Sequence, residues 1–407
     1  MTNTPCRLCG TSIIQFFSLG QMPLVNNFLQ DRNNFVSEKT FDLSVGFCPY
    51  CYLVQLMHTV DPNDLFSHYL YFSSTSQSFL EHCKELAYSF VKRFHLGPKS
   101  LMLEIASNDG AFLQYVKELG IGILGVDPAA NIAEAANQKG IPTIPDFFNL
   151  ALAKKLAEEQ SVQADVIYGA NVLAHVPDIL DFVRGVKTVL KPNGTAIFEF
   201  PYLKGFMENK FDIIYHEHVF YYSFLALLNI FRAADLEIYD VEMTPQQGGS
   251  LLIFACHRGV FPIDKHIENL LQKERTAGFH SIDTYRTMGR NVETLKVKLL
   301  SLLDQLKKQG KRIAAYSASA KGNILLNYFG VGKQYLDFIV DKSPAKQGLY
   351  TPGTHFLVCP VEKIFEERPD YLLILCWNIA EEVIQQLEEY QKAGGKFIIP
   401  VPEVVAR

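Results

Sequence analysis

Short apolar runs, each closed by a small polar turn and followed by a stretch of helical periodicity, recur through the middle of this chain. Leu101-Met102-Leu103-Glu104-Ile105 reads as a buried parallel strand, and Ala106-Ser107-Asn108-Asp109-Gly110 as the turn that breaks it. Residues 111–119 have helical spacing, and a second strand over 121–126 ends on Asp127. The pattern continues with a helix over 131–139, a short strand, the trio Asp146-Phe147-Phe148, and a strand over 164–170 that runs into Asn171. A helix over 178–190, a turn at Lys191-Pro192-Asn193-Gly194 and a strand over 195–200 follow. Strictly alternating strands and helices predict a doubly wound parallel sheet. A helix over 224–234 and strands over 236–243 and 250–257 complete that domain.

The flanks read differently. Residues 1–65 are rich in turn formers, with short alternating pieces such as Phe41-Asp42-Leu43-Ser44-Val45, and suggest a small module of short strands. Residues 77–94 and 262–308 have helical periodicity, the latter as a leucine-rich connector pair. From Lys311 a second strand-loop-helix pattern begins: strand 312–316, loop Ser317–Asn323, helix 324–329, and strand 338–340 closing on Asp341. Strand 371–376, helix 380–393 and strand 396–400 finish it. The expected fold is therefore α/β: a small module (1–65), a doubly wound parallel-sheet domain (66–260), a helical connector (261–308) and a smaller Rossmann-like domain (309–407).

In a doubly wound sheet, ligands bind beyond the carboxyl ends of the strands. The 106–110 turn is small enough for a ligand to pass close to its backbone. Asp127, at the tip of the next strand, is placed to accept hydrogen bonds from ribose hydroxyls. The turn lacks the G-x-G-x-x-G spacing that seats a pyrophosphate on a helix start. A ribose ligand without phosphate fits better, and S-adenosylmethionine (SAM) is the common one. Asp146 stands where an acidic residue takes the adenine amino group, with the neighbouring aromatics over its face. The plain alternative is an ordinary strand-helix-strand unit with a surface aspartate.

Composition narrows the setting. The chain has 407 residues, 48% hydrophobic and 20% charged, with a net charge of −5 and no basic run, so nucleic acid is not an expected partner. It has no signal-peptide pattern at MTNTPCRLCG and no apolar stretch of bilayer length, so a cytoplasmic protein away from membranes is expected, as a monomer. Cys6-x-x-Cys9 and Cys48-x-x-Cys51 form two knuckle pairs able to close a tetrahedral Zn²⁺ site with no open position, which makes the ion structural. The gap between the pairs exceeds a usual zinc-ribbon loop, so free or redox-active thiols stay open as an alternative. Cys83, Cys256, Cys359 and Cys376 read as core thiols.

Three clusters carry candidate chemistry. Tyr215-His216-Glu217-His218 puts two imidazoles and a carboxylate within four residues, without the i, i+4 spacing of a helical zinc site. Read as a strand, it would turn Tyr215 and Glu217 one way and the histidines the other. A neutral imidazole suits proton abstraction; a solvated polar turn is the alternative. His175, just past a strand end, lies where such a base would work. The hydroxyl-aromatic cluster 68–76, with Tyr71, Ser73 and Ser74, reads by itself as a capped helix start. In the third cluster, Tyr316, Ser319, Lys321 and Asn323 surround a predicted helix N-terminus suited to phosphate, or simply to a helix cap.

Together, Glu104–Gly110, Tyr215–His218 and Ala318-Ser319-Ala320-Lys321-Gly322-Asn323 behind a four-cysteine module resemble the SAM-dependent nucleotide-sugar C-methyltransferases of deoxysugar pathways, across essentially the whole chain. The resemblance implies SAM at Glu104, Ala106, Asn108 and Gly110, with Asp127 and Pro128 at the ribose, Asp146, Phe147 and Phe148 at the adenine, and Asn171 beside them. It implies a dTDP- or GDP-linked 4-keto-6-deoxyhexose between the larger domains and methylation at C3, α to the ketone. His218 would be the base, with Tyr71, His175, Tyr215 and Glu217 around the sugar. Ser73, Ser74, Tyr316, Ser319, Lys321 and Asn323 are assigned to the substrate. Relatives often carry glycine where this chain has Ala106 and Ser317; the methyl of Ala106 is expected to be tolerated. An O- or N-methyltransferase of a nucleotide sugar, and an epimerase or NAD oxidoreductase, are the alternatives; the missing G-x-G-x-x-G counts against the last.

Overall fold

The computed structural model describes residues 4–61, 65, 73–75 and 77–407. Tyr71 lies outside the described residues. Near the N-terminus, β1 (Ile14–Pro23), β2 (Thr40–Phe47) and β3 (Val54–Leu56) form an antiparallel ribbon.

The central sheet contains β4 (Leu101–Ile105), β5 (Gly122–Val126), β6 (Thr143–Ile144), β7 (Ala164–Ala170) and β8 (Leu190–Pro201), all parallel. A short strand, β9 (Phe220–Tyr221), leaves this domain and pairs with β3, so the small sheet runs β1-β2-β3-β9. β10 (Leu236–Thr244) and β11 (Ser250–His257) complete the central sheet in the order β10-β11-β8-β7-β4-β5-β6, with β11 antiparallel to both neighbours. The inner strands read as unbroken apolar runs because helices cover both faces. On one face the helix Gln77–Arg93 packs through Phe90 onto Tyr168 and Phe254.

A third sheet, ordered β14-β13-β12-β15-β16-β17, holds β12 (Ile313–Tyr316), β13 (Ile339–Val340), β14 (Val358–Cys359), β15 (Tyr371–Ile374), β16 (Lys396–Ile399) and β17 (Val405–Ala406). The expected connector is a pair of helices, Lys265–Thr276 and Ile282–Lys308. The longer one buries Tyr285, Met288, Val292, Leu295, Leu299, Leu303 and Leu306, a stripe at helical spacing. The shorter one buries Glu274, whose carboxylate accepts the backbone N–H groups of Phe224 (2.6 Å) and Leu225 (2.8 Å) and the Tyr202 hydroxyl (2.8 Å). It therefore caps the start of the helix Phe224–Ala233.

Local expectations shift in three places. The stretch Lys191–Gly194 is a bulge within β8 and not a turn before it, since the register to β7 jumps between Ala164↔Leu190 and Val166↔Thr195. The helix expected from 324 begins at Ala320, because the Ser319 hydroxyl accepts the Gly322 N–H at 3.2 Å and caps it there. The helix expected over 380–393 is two, Ala380–Gln386 and Glu388–Lys392. Among the described residues no helix is long and apolar enough to cross a membrane.

Candidate active site and four-cysteine cluster

Beyond the end of β4 the backbone turns through left-handed conformations at Ala106 (φ 58°), Asn108 (φ 48°) and Gly110 (φ 80°). A side chain on Gly110 would also meet Ile141 at 2.3 Å. Ala106 adopts a conformation that favours glycine, so the cost of its methyl lies in the backbone dihedral. Asp127 holds the turn from below: one oxygen accepts the Asn108 N–H (2.9 Å) and the other the Ala129 N–H (3.0 Å). Ser73 and Ser74, expected at the substrate, hydrogen-bond this turn. The Ser73 N–H donates to Asn108 Oδ1 (2.9 Å), and Ser74 hydrogen-bonds Asp109 through both backbone and hydroxyl.

Three carboxylates converge here. Burial, then the charges of Asp127 and Asp109, push the Glu104 carboxyl well above its usual range; its Oε2 is buried without a hydrogen-bond partner among the described residues. Asp127 is also raised, chiefly by burial. A buried carboxyl without a hydrogen-bond partner among the described residues, beside a turn of left-handed backbone, suits a ligand carrying an ammonium and a sulfonium, as SAM does, while Asp109 is already paired with Lys139 at 2.8 Å. Asp146 and Phe147 are exposed at the rim beside it. Pro128 and Asn171 are half-buried at the ends of β5 and β7. Phe148 is buried and packs edge-on against Phe182 at 5.4 Å.

Tyr215–His218 is a turn and not a strand: the His218 N–H returns to the Tyr215 carbonyl at 2.9 Å. The alternation of faces therefore fails, and the rings of Tyr215 and His218 lie tilted against each other with centroids 3.9 Å apart. His175 stands edge-on to His218 at 4.8 Å, and the Val219 N–H donates to the Ala174 carbonyl at 2.7 Å, tying the two histidine loops together. His218 Nδ1 lies 2.7 Å from the Ile213 carbonyl oxygen. A carbonyl only accepts, so Nδ1 carries the proton and Nε2 keeps its lone pair. Burial, then His175 and Lys321, hold His218 well below its ordinary value, and burial brings His175 down to about 4. Both rings are neutral at working pH.

His216 and Glu217 point towards the N-terminal module. His216 is buried against Phe41, and Glu217 Oε1 accepts from Asn26 Nδ2 at 2.6 Å. Burial pushes the Glu217 carboxyl up to about 7.

In the third sheet, Ser317 is left-handed (φ 81°), and Asp341 repeats the part of Asp127. Its oxygens accept the Ala318 N–H (2.7 Å) and the Ser343 N–H (2.8 Å), while Lys346 Nζ donates to the Ala318 carbonyl (3.0 Å). Of the residues expected at a phosphate, Tyr316 is buried at the end of β12, Ser319 caps the helix, and Asn323 donates to the Val25 carbonyl at 2.8 Å. The Lys321 ammonium lies 5.3 Å over the Trp377 ring and feels the charge of Asp212. Trp377 Nε1 donates to Asp212 Oδ2, and burial raises that carboxyl to about 6. Asn26, Asp212 and Trp377 escape sequence reasoning because their partners are far along the chain and no local pattern marks them.

The four Sγ atoms of Cys6, Cys9, Cys48 and Cys51 lie within 4.8 Å of one another, with Cys6–Cys51 and Cys9–Cys48 at 3.5 Å and Cys9–Cys51 at 3.7 Å. Corners of a tetrahedron with Zn–S of about 2.3 Å are about 3.8 Å apart, whereas a disulfide needs about 2.05 Å. The donor set fits a divalent zinc ion. The Gln55 amide donates to Cys6 Sγ at 3.1 Å, supporting a thiolate from outside the ligand set.

Three family models match successive parts of the chain. Residues 6–66 match the family model described as “Putative zinc binding domain”, residues 79–241 the “Methyltransferase domain”, and residues 245–402 the “C-methyltransferase C-terminal domain”. C-methyltransferase NovU of Streptomyces niveus is 35% identical over 98% of this chain and 95% of its own length. An ubiquinone biosynthesis O-methyltransferase of Acinetobacter baumannii is 28% identical over 24% of this chain and 42% of its own. A solved SAM-dependent methyltransferase from Clostridium acetobutylicum overlaps 44% of this chain and 92% of its own, at 11% identity and a TM-score of 0.36. Matched from end to end by a C-methyltransferase, with a methyltransferase sheet at its centre, this chain belongs to the SAM-dependent C-methyltransferase family.

Proposed function

We propose that the acceptor is a nucleoside-diphosphate 4-keto-6-deoxyhexose, dTDP- or GDP-linked, and that the methyl group goes to C3 through an enolate. The observation that carries this reading is the tautomer of His218, a buried neutral imidazole with Nε2 free. A hydrogen α to a ketone is acidic enough for such a base, and its removal yields a carbon nucleophile. His218 Nε2 takes the C3 proton. Tyr215 and the neutral His175 flank that ring, and the Tyr215 hydroxyl supplies a donor for the developing enolate oxygen. Lys321, near the N-terminus of its helix, offers charge to the diphosphate, with Ser319 beside it. Glu104 meets the charge of the cofactor and Asp127 its ribose, with Asp146 and Phe147 at its adenine. Bound SAM supplies the electrophilic methyl that the enolate carbon takes in line, leaving S-adenosylhomocysteine. Cys6, Cys9, Cys48 and Cys51 hold a Zn²⁺ with a structural role, remote from the reacting atoms.

The test is incubation of the protein with SAM and the 4-keto sugar nucleotide, with the product's methyl located by NMR. A methyl bonded to C3 supports the reading. A methyl on oxygen or nitrogen, or no acceptance of any nucleotide 4-keto sugar, overturns it.

A further inference from the structure

The loop following β1 reaches into the active site from the N-terminal module. Asn26 donates its side-chain amide to Glu217 Oε1 at 2.6 Å, across 191 residues of sequence. This is the side-chain hydrogen bond that the buried Glu217 carboxylate receives among the described residues. The loop is itself anchored on the far side, where Asn323 donates to the Val25 carbonyl at 2.8 Å from the first turn of the helix that carries Lys321. The same module is joined to the catalytic turn a second time: β3 pairs with β9, the strand that begins just after His218, and the Leu56 N–H donates to the Val219 carbonyl at 2.9 Å. One short loop thus touches the catalytic turn and the C-terminal domain, and Glu217 meets it next door to His218.

We propose that Asn26 is a positioning residue for the methyl transfer, fixing the Glu217 carboxylate toward the sugar so that the N-terminal module completes the acceptor site. The proposal rests on the acceptor reading above. On that reading Glu217 is the group that meets the sugar, and Asn26 acts through it. A carboxylate held by a neutral amide keeps one oxygen fixed and leaves the other for a sugar hydroxyl.

The test compares Asn26→Ala, Glu217→Gln, the double variant and Asn27→Ala, a change at an exposed neighbour in the same loop. Zinc content and SAM affinity serve as controls for folding. Asn26→Ala raises KM for the nucleotide sugar roughly tenfold or more, with SAM affinity and zinc unchanged. Asn27→Ala behaves as wild type, and Asn26→Ala adds nothing in the Glu217→Gln background. Wild-type kinetics in Asn26→Ala, or full additivity in the double variant, overturns the proposal. If Asn26→Ala loses zinc, Asn26→Gln, which keeps an amide but displaces it, is read by the same criteria. A wild-type enzyme inert on nucleotide sugars sinks the acceptor reading instead. The Asn26–Glu217 contact is then judged by infrared titration of the Glu217 carboxyl: loss of the donor moves its midpoint upward, and an unmoved midpoint overturns the proposal.

Discussion

At the scale of single residues, the proposed chemistry turns on the Ile213 carbonyl, which fixes the proton of His218 on Nδ1. His218→Ala is expected to cut turnover by about 10²–10⁴-fold while leaving SAM affinity unchanged; unchanged turnover in a steady-state assay removes His218 from the role. Because burial lowers the His218 pKa, its charged form is favoured in the unfolded chain. Its contribution to stability is present above the ordinary value of 6.5 and is lost as pH falls below it. Glu104 shifts the opposite way. Its neutral form is favoured in the empty site, and a bound ammonium or sulfonium restores the charged one. SAM binding therefore releases a proton, and affinity rises with pH through the range above 4.5 until the raised pKa is passed. Calorimetry across that range checks this, and Glu104→Gln should flatten the slope. At Ala106 the strain is in the backbone: Ala106→Gly should stabilise the protein by about 1 kcal/mol in chemical unfolding, the cost of a left-handed residue with a Cβ.

At the scale of elements, the link between domains is concentrated in a few side chains. Trp377→Phe removes the indole donor from Asp212, a carboxyl whose other oxygen is buried without a partner among the described residues. It should cost about 1–3 kcal/mol, measured as a lower thermal midpoint, and an unchanged midpoint contradicts the contact's importance. The strands around the cofactor turn were legible because fully buried strands are unbroken apolar runs, and Asp127 was legible because it ends one of them. Phe148 was not: adjacent aromatics after Asp146 look alike in sequence, and which one turns into the core is decided by Phe182, on a distant helix. Tyr215–His218 takes the turn and not the alternating arrangement, a choice that local spacing leaves open because it cannot distinguish a turn closed by the Tyr215 carbonyl from an extended strand. Asn26 and Trp377 carried no signal, since their partners stand 191 and 165 residues away.

At the scale of the whole molecule, the four-cysteine module is continuous with the Tyr215–His218 segment through β3 and β9, and the Gln55 side chain that supports Cys6 stands opposite Phe220 in that pairing. Replacing Cys48 with serine should release the ion and unfold the module, seen as lost zinc by elemental analysis and a lower melting temperature. A folded, metal-free variant of full stability argues against a structural ion. The central claim is enolate formation by His218, and the direct measurement is mass spectrometry of the sugar nucleotide incubated with enzyme in D₂O, with and without SAM. The predicted result is deuterium at the carbon α to the ketone in wild type, a methyl gained there when SAM is present, and neither change with His218→Ala. Methyl transfer that persists in His218→Ala at the wild-type rate contradicts the account.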